Sequence, residues 1–138
     1  MTLERFVLDT SAIFAYANDE PGSDAVQRIL ERARREPSES EVLIPFIALM
    51  ETHYHLLRQL GPEEAIAAIG AIELLPVEII ESDQAWRGKA AEIKAEGRLS
   101  LADAWIAALA YLLDARLVHK DPEFDRLVDL PMVRLPNF

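Results

Sequence analysis

Short apolar runs alternate along this chain with longer stretches in which apolar residues recur every three or four positions. Phe6-Val7-Leu8, Val42-Leu43-Ile44, Val77–Ile80, Leu117-Val118 and Met132–Leu135 have the length and content of strands. Mostly unbroken apolar runs predict strands covered on both faces. The stretches between them read as helices. One opens at Asp9-Thr10-Ser11 and runs toward Asn18. A second is expected from Pro21, with Ala25, Ile29, Leu30 and Ala33 inside and Arg28, Arg32 and Arg35 outside. Pro45 ends the second strand, and a helix follows to about Leu60, where Gly61-Pro62 breaks it. Glu63–Leu74 is the next helix, and Pro76 opens the third strand. Ser82 is expected to cap a helix that reaches Glu96 and closes on Gly97. Ser100 caps Leu101–Asp114, and Pro122–Val128 reads as a short helix.

Strands alternating with helices of this length imply βαβ units and a parallel sheet. The expected fold is a three-layer α/β/α arrangement around a mainly parallel sheet of about five strands, one domain over residues 1–138. In such folds ligands bind beyond the carboxyl ends of the strands. The residues that follow each strand therefore carry the functional question.

Composition narrows the classes. An apolar fraction of 51% excludes a disordered chain. The absence of cysteine excludes a disulfide scaffold, a thiolate zinc site and a cysteine nucleophile. The longest apolar run, Ala104–Leu113, is half of the roughly 20 residues a membrane span needs. The opening MTLERFVLDT has no long apolar core, so no signal peptide is expected. A soluble cytoplasmic protein is the expectation. The net charge of -10 argues against gripping nucleic acid by phosphate neutralisation alone. Acidic proteins handle phosphodiesters when bound metal ions supply the positive charge.

The acids have individual explanations. Asp9 follows the first strand, where it suits a helix N-cap. Glu51 lies in the helix Phe46–Leu60, among Ile47, Tyr54 and His55, and reads alone as a solvated position. Asp103 stands three residues after Ser100, at capping-box spacing. Its helix is apolar all round, which predicts burial and a partner for the carboxylate. Asp121 precedes Pro122 as an N-cap would. Asp125 lies one turn further on and is a supporting candidate.

Together the acids have a better account. Asp9, Asp103 and Asp121 fall at the carboxyl edge of the sheet, and Glu51 reaches it from the helix after the second strand. Clustered carboxylates repel and raise one another's pKa, so a fold gathers them around a cation. An all-oxygen set favours Mg²⁺, or Mn²⁺, over zinc.

Val7-Leu8-Asp9-Thr10-Ser11-Ala12, Met50-Glu51, Leu101-Ala102-Asp103-Ala104 and Lys120-Asp121-Pro122-Glu123-Phe124 resemble the motifs of PIN-domain nucleases, in order and over essentially the whole chain. In size the chain is similar to the VapC-type toxins of type II toxin–antitoxin pairs. The resemblance implies a Mg²⁺-dependent endoribonuclease that hydrolyses RNA with metal-bound water as the attacking group. It carries Asp9, Glu51, Asp103 and Asp121 over as catalytic carboxylates, with Asp9, Asp103 and Asp121, and Glu51 beside them, on the metal. Thr10 or Ser11 matches the hydroxyl that orients the first acid or the water. The family often has Thr or Ser two residues before the last acid; here that residue is His119. A cognate antitoxin and a homodimer are implied as partners, with no membrane. The antitoxin is expected on apolar surface from Ala12–Asn18, Ala25–Ala33 and Phe46–Leu57.

RNA would need a local basic rim, for which Arg5, Arg32, Arg34, Arg35, Arg87, Lys89, Lys94, Arg98 and Lys120 are candidates. His53 and His55, two apart on a helix, do not form a ligand pair and read as structural or partly exposed. Trp86 and Trp105 read as core. Two alternatives stand beside the nuclease. One is a non-catalytic PIN-like interaction module, against which the complete set of acids argues. The other is a receiver-type phosphoacceptor, which wants an acidic pair after the first strand and a late lysine. Thr10-Ser11 follow Asp9, and no lysine follows Met132.

Overall fold

Five parallel strands form one sheet in the order β3-β2-β1-β4-β5. The computed structural model describes residues 3–137. The strands are β1 (Glu4–Leu8), β2 (Ser40–Pro45), β3 (Glu78–Ile80), β4 (Arg116–His119) and β5 (Met132–Arg134). The helices are α1 (Thr10–Ala17), α2 (Ser23–Arg35), α3 (Phe46–Leu60), α4 (Pro62–Glu73), α5 (Gln84–Ala95) and α6 (Leu101–Leu113). A 3₁₀ turn, Pro122–Arg126, links β4 to β5. This is the α/β/α fold the alternation implied.

Successive residues of a strand point to opposite faces. Phe6, Val7 and Leu8 are all buried, as are Val42, Leu43 and Ile44, so helices cover both faces of the central strands. Trp86 is also buried, and its indole N–H donates to the Trp105 carbonyl at 2.7 Å. Phe46, Trp86 and Trp105 meet edge-on, with centroids 5.1–5.5 Å apart. That ties α3, α5 and α6 into one aromatic knot.

Several boundaries differ from expectation. α2 begins at Ser23, because Pro21 lies in a turn and Gly22 takes φ +96° ahead of the helix. A side chain there would strain the backbone, and its Cβ would stand 2.9 Å from that of Leu135. α5 is capped by Asp83, not Ser82: its carboxylate accepts from the Trp86 N–H at 2.8 Å. The expected helix Pro122–Val128 is the shorter 3₁₀ turn. α6 is not buried all round, since Leu101 and Leu112 are 64% and 45% exposed. No helix among the described residues is long and apolar enough to cross a membrane.

The register sets up the site. Leu8 pairs with Val118, so β1 and β4 end side by side. The Asp9 N–H extends that pairing by donating to the Val118 carbonyl at 3.2 Å. Residues 9 and 121 therefore emerge at one edge, under the N-terminus of α6.

Candidate metal centre

Asp9 is 3% exposed. Its Oδ1 accepts from the Ala12 N–H at 2.8 Å, so it does cap α1. The Ser11 hydroxyl bonds the same carboxylate, at 2.7 and 2.8 Å to its two oxygens. That hydroxyl also accepts from the Lys120 backbone N–H at 2.9 Å, which fastens Asp9 to the end of β4. Burial pushes the Asp9 carboxyl up to about 7, against the lowering effect of these hydrogen bonds, and the charges of Asp121 and Glu51 add to the rise.

Asp103 lies in the first turn of α6, half-buried, with its N–H donating to the Ser100 hydroxyl at 3.3 Å. Burial pushes Asp103 up to about 8; the charge and carboxyl contact of Asp121 follow, then Glu123 and Asp9. Asp121 caps the 3₁₀ turn by accepting from the Glu123 N–H at 2.9 Å. Glu51 accepts from the Thr10 hydroxyl at 2.6 Å. So the two hydroxyls after Asp9 each hold a different acid.

These acids meet in one cavity of about 460 Å³, lined by Asp9, Glu51, Asp103 and Asp121 together with Thr10 and Ser11. The carboxylate oxygens of Asp103, Asp121 and Glu123 lie within 4.8 Å of one another. Among the described residues no Lys or Arg side chain pairs with any of the four cavity acids. Two of them are instead pushed toward their protonated forms. An all-oxygen donor set that lacks a protein cation fits a hard divalent ion.

The structure places other candidates elsewhere. Asp125 turns away and pairs with Arg134 at 2.9 Å. His119 is fully buried and points into the core, with Nε2 3.2 Å from the Met132 sulfur and its ring edge-on to Phe124. Its Nδ1 has no hydrogen-bond partner among the described residues, and burial holds its pKa below the ordinary value. It does not line the cavity. Much of the expected basic rim is spent on acids: Arg5 on Glu41, Arg32 on Glu4, and Arg34 and Arg35 on Glu31. Lys120 does reach a cavity-lining residue, Glu20, at 3.2 Å.

Glu123 and His55 were not picked out in the sequence. Glu123 sits two residues after Asp121; its carboxylate reaches the cluster, and its Oε1 accepts from the Ser100 N–H at 2.5 Å. His55 lines the cavity one turn after Glu51, a spacing that was there to be read.

A family model described as PIN domain matches residues 6–130. No curated protein matches the sequence. The fold is similar to several solved structures. DNA-bound VapBC from Salmonella typhimurium is 26% identical, with a TM-score of 0.73, over 96% of this chain and 98% of that one. VapBC2 from Rickettsia felis, bound to a fragment of promoter DNA, is 21% identical, with a TM-score of 0.75, over 96% and 99%. VapC20 from Mycobacterium tuberculosis, a toxin that cleaves the sarcin–ricin loop, is 24% identical, with a TM-score of 0.66, over 94% and 98%.

Proposed function

Because the chain belongs to the PIN-domain family, whose nucleases use divalent metals, we propose that it is a Mg²⁺-dependent endoribonuclease and the toxin of a toxin–antitoxin pair. The observation that carries this reading is the cluster of Asp103, Asp121 and Glu123 oxygens beside the buried Asp9. Such a cluster is costly unless a cation completes it.

Asp9, Asp103 and Asp121 would hold Mg²⁺ or Mn²⁺, with Glu51 and Glu123 at the margins. When bound, the ion lowers the pKa of water and offsets charge on the phosphate and the leaving oxygen. The protein's own residues prepare the place. Ser11 holds the Asp9 carboxylate still, against both α1 and the end of β4. Thr10 holds Glu51 from the other side of the cavity. Burial of Asp9 lowers the dielectric around its carboxylate, which strengthens its interaction with a bound cation.

Partners follow the same reading. The VapBC assemblies among the similar structures support an antitoxin partner. A groove of about 440 Å³ between α1, α3 and α4 is lined by Phe14, Leu56, Leu60, Ile72 and Leu75 and offers apolar surface to it. Met50, Tyr54 and Leu57 form an exposed stripe on α3, suited to a homodimer contact.

The test is cleavage of RNA with Mg²⁺, without it, and after EDTA. Asp9→Asn and Asp103→Asn should abolish cleavage while circular dichroism stays unchanged. Cleavage without metal, or full activity in either variant, removes the proposal.

A further inference from the structure

The cavity does not end at the acids. Past Glu51 it continues between α1 and α3, over Phe14 and Asn18 on one side and His55 and Gln59 on the other. The spacing builds this trough. Phe14 and Asn18 are four residues apart, as are Glu51, His55 and Gln59, so each helix turns one face to it. Neither is a core face. Asn18 and Gln59 are exposed, and Phe14 and His55 are half-buried, while Ala12, Ile13, Ala15, Ala48 and Thr52 are the residues that α1 and α3 bury.

The rings in the trough are ordered against one another. Phe14 meets His55 edge-on, with centroids 5.8 Å apart and planes at 81°. Tyr54, which lies outside the lining, backs His55 by stacking on it at 4.3 Å and 26°. The charges say what the trough does not take. Among the described residues no lysine or arginine lines it, which argues against a phosphate site. Its carboxylate away from the acid cluster, Glu20, is tied to Lys120 at 3.2 Å and to Asn18 at 3.3 Å, so a basic peptide finds that acid already paired. What remains is ring surface and two neutral amides: Asn18, which spends one N–H on Glu20 and keeps the other with its carbonyl, and Gln59, with both donors and an acceptor. That is the chemistry that receives an unstacked nucleobase: rings against its face, amides on its edge.

We infer that the α1–α3 end of the cavity is a nucleobase subsite, which seats the base next to the phosphodiester held at the acids. Phe14 and His55 take the face of the base; Asn18 and Gln59 read its edge. The inference rests on the endoribonuclease reading for the bond that is cut, while its own content is base-selective RNA binding. The subsite makes this chain select among bases within three helical turns of its acids, although the protein as a whole is acidic.

The test reads binding rather than turnover. Fluorescein-labelled tetranucleotides A4, C4, G4 and U4 are titrated by anisotropy against the intact protein, with Ca²⁺ present and again with Mg²⁺. The parent should separate the best from the worst base by about tenfold, in line with one or two base-edge hydrogen bonds. Asn18→Ala combined with Gln59→Ala should compress that spread to less than about threefold, and His55→Ala should weaken all four by about tenfold through lost stacking. Asn18 and Gln59 are exposed, so their substitution spares the core. Equal affinities in the parent, or an unchanged spread in the double variant, overturn the subsite and leave the trough to a protein segment. Base-selective binding without RNA cleavage would keep the subsite and remove the nuclease reading.

Discussion

Thr10 donates its hydroxyl to the Glu51 carboxylate at 2.6 Å, across 41 residues of sequence. The bond joins the first turn of α1 to α3 over the mouth of the cavity. Thr10→Val keeps the shape of the side chain and removes the donor. Loss of such an orienting partner lowers metal affinity by about 10- to 100-fold. Calorimetric titration with Mn²⁺ should show that loss with the melting temperature almost unchanged. Parental affinity in Thr10→Val would mean that Glu51 needs no tether.

The acids also fix how stability responds to pH. In the folded, metal-free protein Asp9 and Asp103 titrate at about 7 and about 8, above the ordinary aspartate value of 3.8. Between those values the folded chain holds protons that the unfolded chain has released. The stability tied to these groups is therefore complete below about pH 4 and is lost as pH rises through about 7 and 8. EDTA-treated protein should melt lower at about pH 8.5 than at about pH 5, and Mn²⁺ should raise the melting temperature more at the higher pH. Asp103→Asn should flatten the pH slope. A melting temperature that climbs with pH in EDTA would contradict the placement of these two carboxyls.

Gly22 is the backbone position least able to accept a side chain. With φ +96° and Leu135 only 2.9 Å from a would-be Cβ, Gly22→Ala should cost about 2–3 kcal/mol in chemical denaturation. The clash lies where the C-terminal segment crosses the start of α2, so RNA cleavage per folded molecule should persist. A neutral substitution would show that Leu135 moves aside freely.

The two residues ahead of α5 can be told apart by substitution. Asp83→Ala removes the carboxylate that accepts from the Trp86 N–H, and should cost about 1 kcal/mol. Ser82→Ala should cost a few tenths at most, since no cap bond comes from it. The reverse ranking in urea melts would restore the cap to Ser82.

The frame of the molecule was readable because strand and helix periods differ so plainly here, and because Pro45, Gly61-Pro62 and Gly97 punctuate it. That Asp9 and Asp121 would share one edge was legible because a parallel sheet delivers post-strand residues there; Glu51 and Asp103 line the same cavity through the packing of α3 and α6. Glu123 was not legible, since the choice between Glu123 and Asp125 depends on the turn that follows Asp121. An α-helix would return the fourth residue; a 3₁₀ turn has three residues per turn and carries Asp125 round to Arg134. His55 stands one turn after Glu51 in the sequence, but a lone histidine on a part-apolar helix face reads as structural, and only the packing of α1 against α3 shows it on the cavity. The pairing of two of the rim's arginines was invisible for another reason. Arg32 meets Glu4 from 28 residues away and Arg5 meets Glu41 from 36, and local sequence says nothing of either.

β1 lies at the middle of the sheet, yet the neighbour that completes its functional edge, β4, is made almost last. A nascent chain on the ribosome therefore carries Asp9 and Glu51 long before Asp103, Asp121 and Glu123 exist. No fragment that stops short of residue 123 holds Asp103, Asp121 and Glu123 together, so a growing chain cannot gather these acids until four of the five strands have been made.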